Sequence, residues 1–116
     1  MEVRIQDIIG ARCIIKDDGQ RVYDAIHSAL VEGESVTLDF DGVTQFASPF
    51  FNSAIGQLLK DITADNLRTL LNIVNLVRDG QLVVNRVIEN ASHYHKDLNY
   101  QKIVDAILQQ ESEEEG

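Results

Sequence analysis

One cysteine, one proline, one methionine and no tryptophan occur in the 116 residues, and ten lysines and arginines face nineteen aspartates and glutamates. A lone thiol, Cys13, closes no disulfide within the chain and offers no cysteine pair to a metal, so a reducing, cytoplasmic setting is expected. The formal charge of −9 repels a polyphosphate backbone, and Arg68, Arg78, Arg86 and Lys96 are spread along the chain, so no nucleic acid is expected as a partner. No apolar run approaches the roughly 20 residues of a membrane span, and "MEVRIQDIIGAR" lacks both a basic region and a long apolar core of a leader, so neither membrane nor export is expected. Absent too are a G-x-G-x-x-G fingerprint, a phosphate-binding loop and any Ser/His/Asp or Cys/His spacing. No cofactor is expected.

What is present is an ordinary globular composition, 44% apolar and 25% charged, in a chain long enough to close one core unaided. No repeat or Pro/Gly/Ser-rich linker divides it, so residues 1–110 are expected to form one domain. The end, "ESEEEG" (111–116), has like charges and no apolar residue, which predicts a disordered acidic tail.

Periodicity predicts alternating strands and helices. "VRIQDI" and "RCIIK" read as two opening strands that pair near Gly10, and "DDG" (17–19) as a turn before a helix over 20–31, with Val22, Ile26, Ala29 and Leu30 on one face. Gly33 ends that helix. "VTLDF" alternates Val36, Leu38 and Phe40 with Thr37 and Asp39, as a half-buried strand does. A helix from Pro49 to about Ile62 carries Phe51, Ile55, Leu58 and Ile62 inward, and Gly56 within it implies a close approach to the sheet. "RTLLNIVN" (68–75) reads as a strand. A third helix over 80–96 presents Leu82, Val83, Val87, Ala91 and Tyr94, and a fourth over 101–110 presents Ile103, Val104, Ile107 and Leu108. The order ββαβαβαα predicts an α/β domain, a mixed sheet of four to five strands with helices packed on it.

The join between strand and helix at Ser48-Pro49 holds the most chemistry. Serine at an N-cap followed by proline at the first helical position is a structural helix start. The same geometry welcomes a phosphate, because a helix N-terminus carries positive charge density, and phosphorylation would add about −1.5 to −2 charge to a surface a partner covers. Phe50 and Phe51 are adjacent and do not both face the main core, so one is expected either to stand exposed beside Ser48 as a partner contact or to enter a small second core beneath the preceding loop. Asp39 and Asp41 sit at a strand end, a common site position in α/β folds, although Asp41-Gly42 is also ordinary turn chemistry and Asp39 is placed to accept from loop amides.

"VTLDFDGVTQFASPFFNSAIGQL" (36–58), with "DDGQRVYDAIHSAL" before it and "LLNIVN" and "VIENASHYH" after it, resembles the bacterial STAS-like domain family, related to anti-sigma factor antagonists. The likeness runs from about Gly10 to His95 and is strongest in "LDFDGV" and "SPFFNSAIG". It implies a STAS-like domain over 1–110. In the antagonists an Asp-Ser-Ser-Gly stretch precedes this helix, and a kinase-type anti-sigma factor phosphorylates its first serine to control partner release. Ser48 matches that serine, while Ala47, Pro49 and Phe50 replace its neighbours and make the loop more apolar. A histidine-kinase-like ATPase is the partner that the resemblance implies.

His93 and His95 point about 200° apart on a helix and cannot share one ion, whereas Glu89 and His93, at i and i+4, could, without a third ligand in the nearby sequence. No metal site is expected. The resulting reading is a non-enzymatic regulatory interaction domain, a monomer or weak dimer, using Asp39, Asp41, Ser48, Phe50, Phe51 and Asn52 against a protein partner, with Ser48 as the phosphorylation candidate. Two alternatives stand beside it: a small enzyme or ligand-binding domain working through Asp39, Asp41 and Ser48, and an assembly subunit in which Ser48 is only a cap.

Overall fold

The computed structural model describes residues 1–96, the last two by backbone alone. The predicted helix over 101–110 and the tail over 111–116 lie outside the described residues. The elements in order are β1 (Glu2–Arg4), α1 (Ile5–Ile9), β2 (Arg12–Cys13), α2 (Lys16–Val31), β3 (Val36–Asp39), β4 (Gln45–Phe46), α3 (Ser48–Ala54), a 3-10 turn (Gly56–Lys60), α4 (Ala64–Leu70), β5 (Leu71–Val74) and α5 (Arg78–Lys96). The domain is α/β, and the strand pairing differs from the mixed sheet expected. β1, β3 and β5 form a parallel sheet in the order β1-β3-β5, and β2 pairs β4, also parallel, in a separate two-stranded sheet. The two opening strands therefore do not pair with each other. Ile5–Ile9 coils into a helical turn between them, which turns the chain so that each finds a partner later in sequence.

β3 is half-buried as its alternation implies: Val36, Leu38 and Phe40 are buried while Thr37 and Asp39 are not. The same face takes Val3 and Leu71, so the core lies on one side of the sheet, between it and the helices. α2 begins four residues earlier than the apolar pattern showed. Asp17 and Asp18 occupy its first turn, where carboxylates complement the helix dipole, and "DDG" is helix rather than turn. Its end is as read: Gly33, at φ 86°, adopts the left-handed conformation that closes a helix, and the Glu34 amide donates back to the Ala29 carbonyl at 2.9 Å.

The helix expected from Pro49 to Ile62 is broken. α3 ends at Ala54, Ile55 departs from helical geometry, and residues 56–60 tighten into a 3-10 turn. The inward residues keep their role, and Phe51, Ile55, Leu58 and Ile62 are all buried. A Cβ on Gly56 would stand 3.4 Å from Val87 and 3.8 Å from Ala91. Its neighbour is thus α5 rather than the sheet, at ordinary contact distance. The close approach lies at Gly19 instead, where a Cβ would come within 2.4 Å of the Phe50 carbonyl oxygen and 2.7 Å of Ser53 Cβ. α2 and α3 touch there backbone to backbone.

Further on, α4 replaces the first part of the strand expected over 68–75. Thr63 caps it by accepting from the Asn66 amide at 3.2 Å, Asp65 lies in its first turn, and Leu67 is its buried anchor. On α5 the inward stripe is Val84, Val87 and Ile88, with Val83 and Ala91 beside it, while Leu82 is 54% exposed, contrary to the expected face. No helix among the described residues is long and apolar enough to cross a membrane.

Replacing Gly19 by alanine sets a helix-propensity gain of about 1 kcal/mol against an overpacking cost of about 1 to 3 kcal/mol. Because one atom struck is a backbone oxygen that side-chain rotation cannot move, the cost prevails. Gly19→Ala is expected to lower the urea midpoint, and Gly56→Ala, which meets nothing closer than 3.4 Å, to leave it unchanged or raise it. Equal midpoints for the two variants would show that α2 and α3 are not in backbone contact.

Candidate functional site

The strand ends place Arg4, Asp39 and Val74 in one row across the parallel sheet, at its C-terminal edge. The chain then continues from β3 into the Asp41-Gly42 turn and from β5 into Asn75, at φ 59°. Asp39 Oδ1 accepts from Asn75 Nδ2 at 2.9 Å and from the Asp41 amide at 2.9 Å, and Arg4 approaches Asp41 Oδ2 at 3.9 Å across exposed surface. The Asn75 amide, then the Asp41 amide, favours the ionised Asp39 carboxylate and holds its pKa below the usual value; burial opposes this, and the Arg4 charge adds the least to it. Asp39 thus bonds a loop amide as its place on β3 implies. It ties the loops after β3 and β5 together.

Ser48 occupies another place. Ala47 is the N-cap of α3, in extended conformation, and Ser48 is already the first helical residue with Pro49 second. The cap has no side-chain hydrogen bond, and among the described residues the Ser48 hydroxyl makes none. The expected capping role is therefore not what the side chain does. Ser48, Pro49 and Asn52 are exposed, and Pro49 and Asn52 line a shallow recess of about 300 Å³ with Lys16, Ser53 and Gln57. At its base Gln57 Nε2 donates to Gln20 Oε1 at 2.8 Å and to the Ser53 carbonyl at 2.8 Å, bridging α2 to the end of α3. No hydrogen bond or ion pair among the described residues joins Asp39 or Asp41 to Ser48.

Phe50 and Phe51 both have 0% of their surface accessible, which corrects the expectation of an exposed partner contact and leaves the alternative of a buried one. The two face different directions from α3, as adjacent helical residues must, but α3 is covered on more than one side. Phe51 meets Phe40 and Phe46 at ring-centroid separations of 5.9 and 6.0 Å, Phe50 lies edge-on to Phe51 at 5.3 Å, and α2 closes over the Phe50 backbone. Neither ring is available to a partner. Of the expected contact residues, Asp39 and Asp41 lie together at the strand ends, Ser48 and Asn52 on the exposed strip of α3, and the phenylalanines in the core.

Elsewhere, Cys13 is fully buried and its thiol is pushed up to about 12, first by burial and then by Asp18, which makes it inert. His27 pairs Asp61 through Nε2 at 2.7 Å and stacks on Tyr23, tying α2 to the turn before α4. Among the described residues no three His, Cys, Asp or Glu side chains are grouped to hold a metal. Asn75, Lys16, Gln20 and Gln57 were missed in the sequence. Only "LNIVN" carried a signal for Asn75, because an asparagine just after a strand tolerates positive φ.

A small parallel α/β domain with an exposed serine at a strand-to-helix join defines the class. A family model described as a STAS-like domain of unknown function (DUF4325) matches residues 18–81, more than half of the chain, and the chain belongs to that family. The match runs from the first turn of α2 into α5 and takes in Asp39, Asp41 and Ser48. Neither the curated proteins nor the solved structures gave a match.

The lowered Asp39 pKa fixes a sign. Its ionised form stabilises the fold at pH above the ordinary carboxylate value of about 3.9, and that contribution is lost as pH falls through the lowered folded value. Asn75→Gly keeps the positive φ and removes the donor. It is expected to raise the Asp39 pKa, read from carboxyl NMR shifts across an acid titration, and an unchanged titration would show that Asn75 does not hold the carboxylate.

Proposed function

We propose that the domain is a non-enzymatic regulatory module, resembling anti-sigma factor antagonists, that binds a protein partner through the exposed strip of α3 and is switched by phosphorylation of Ser48. The observation that carries this reading is the Ser48 side chain: exposed, without a hydrogen bond among the described residues, and unused as a cap, at the start of a helix whose remaining bulk is core. A hydroxyl so placed can be modified without breaking the fold. The partner covers Ser48, Pro49 and Asn52 and the recess beside them, which Lys16 also lines. A phosphate there adds charge that a docked apolar surface must desolvate, and the partner leaves.

A histidine-kinase-like ATPase is the partner and the source of the phosphate, and the domain acts as a monomer or weak dimer in the cytoplasm. Asp39 and Asp41 support the loops rather than a reaction. The Asp39 carboxylate accepts two hydrogen bonds that favour its ionised form, which makes it a poorer proton acceptor, so the enzyme reading draws no support from it.

The experiment is affinity capture from the source cells with wild type, Ser48→Ala and Ser48→Asp, with bound proteins identified by mass and the leading ATPase then purified and incubated with the domain and ATP. The expected result is one partner held by wild type and Ser48→Ala, weakened about tenfold or more by Ser48→Asp, equivalent to about 1.4 kcal/mol, together with phosphate mapped to Ser48. Equal binding by all three and no phosphate on Ser48 would overturn the switch.

A further inference from the structure

The exposed strip of α3 has a recess on either side. Lys16, Pro49 and Ser53 line the one beside α2, and Gly56, Lys60, Ala91 and Tyr94 line a second, about 310 Å³, between the 3-10 turn and α5. Asn52 and Gln57 line both and form the ridge between them. Lys16 and Lys60 are the two lysines among the described side chains; both are exposed, and neither has a carboxylate partner among the described residues. No Asp or Glu lines either recess, in a chain with nineteen acidic residues. The acids next to these lysines in sequence are directed elsewhere: Asp61 pairs His27, and Asp17 stands about 100° round α2 from Lys16.

Beside Lys16 the surface is apolar. Ile14 and Ile15 are 37% and 53% exposed and belong to no part of the core. The Cys13 carbonyl accepts from the Ala47 amide at 2.9 Å, and Lys16 shares its recess with Pro49, so the isoleucines between them run alongside the start of α3. An apolar surface with a lysine on each side and no acid lining it calls for an occupant that is apolar at its centre and acidic at its edges. We propose that the partner docks through an acidic segment that straddles α3, with apolar side chains on Ile14, Ile15 and Pro49 and carboxylates on Lys16 and Lys60. This rests on the partner reading above and supplies the partner's chemistry. A phosphate on Ser48 then stands among the partner's carboxylates, and repulsion between like charges adds to the cost of desolvation.

The test is a displayed library of random peptides, with acidic and basic residues equally frequent, selected on the full-length unphosphorylated chain. Selected peptides are expected to carry Asp and Glu around an apolar centre, against the net charge of the chain, and to shift the amide signals of Lys16, Asn52, Gln57 and Asn90 in nitrogen-15 spectra. Lys16→Glu and Lys60→Glu are each expected to weaken the tightest peptide about fivefold or more, the scale of a rim ion pair turned from attraction to repulsion. Both lysines are exposed, and a carboxylate at position 16 falls in the first turn of α2, so both variants fold. Selection of basic peptides or of none, shifts confined to other residues, or binding that survives either variant overturns the proposal. Signals of the peptide-free chain that move with its own concentration would assign the face to a second copy and overturn it too. Ser48 is unmodified throughout, so failure here leaves the switch standing, and equal binding of Ser48→Ala and Ser48→Asp to the partner leaves this docking chemistry standing.

Discussion

The contact between Gly19 and Phe50 governs the rest of the molecule. With hydrogen in place of a side chain at residue 19, the Phe50 carbonyl and Ser53 come into space that any other residue would fill, and α3 presses against α2. A helix of seven residues has little stability of its own, since nucleation is costly and few internal bonds follow. Its order comes from packing: Phe50 and Phe51 are both buried, and each contributes about 1.5 to 3 kcal/mol by leaving water. α3 is a wedge held on several sides, and only Ser48, Pro49 and Asn52 on its first turn and a half face outward.

That geometry separates the two groups of polar residues. At the C-terminal edge of the sheet, Asp39, Asp41, Asn75 and Arg4 secure the loops through hydrogen bonds and one exposed ion pair. On α3 the Ser48 hydroxyl has no such task. A side chain already engaged in structure is costly to modify, and one outside the hydrogen-bond network is not. The contrast between Asp39 and Ser48, more than the mere presence of a serine at a helix start, is what the proposed regulatory role rests on.

Much of the fold was legible where a single face meets the core. Val36, Leu38 and Phe40 alternate and are buried, Val22, Ile26 and Leu30 recur along α2, and Gly33 ends it as read. The pattern fell short where tertiary contacts decide. β2 and β4 have two residues each, too few to show a period, and their pairing joins segments more than thirty residues apart. Ile55 breaks the helix between two inward residues, so the apolar stripe runs on unbroken across the change to a 3-10 turn. The phenylalanine pair misled because periodicity assumes one buried face per helix, whereas α3 has more. Of the site, Ser48 and Asn52 were legible as partner-contact residues and Asp39 as a loop acceptor, but the recess with Lys16 and Gln57 depends on how closely α2 meets α3.

Native-state hydrogen exchange of the Ile55 amide, bonded to the Phe51 carbonyl at 2.9 Å, tests most directly whether α3 is such a wedge. If packing on several sides holds it, this proton exchanges only through global unfolding, with the same free energy and denaturant dependence as the amides of β3. Exchange at a much lower free energy, insensitive to denaturant, would mean that α3 opens by itself, and neither the buried phenylalanines nor the fixed position of Ser48 would then stand.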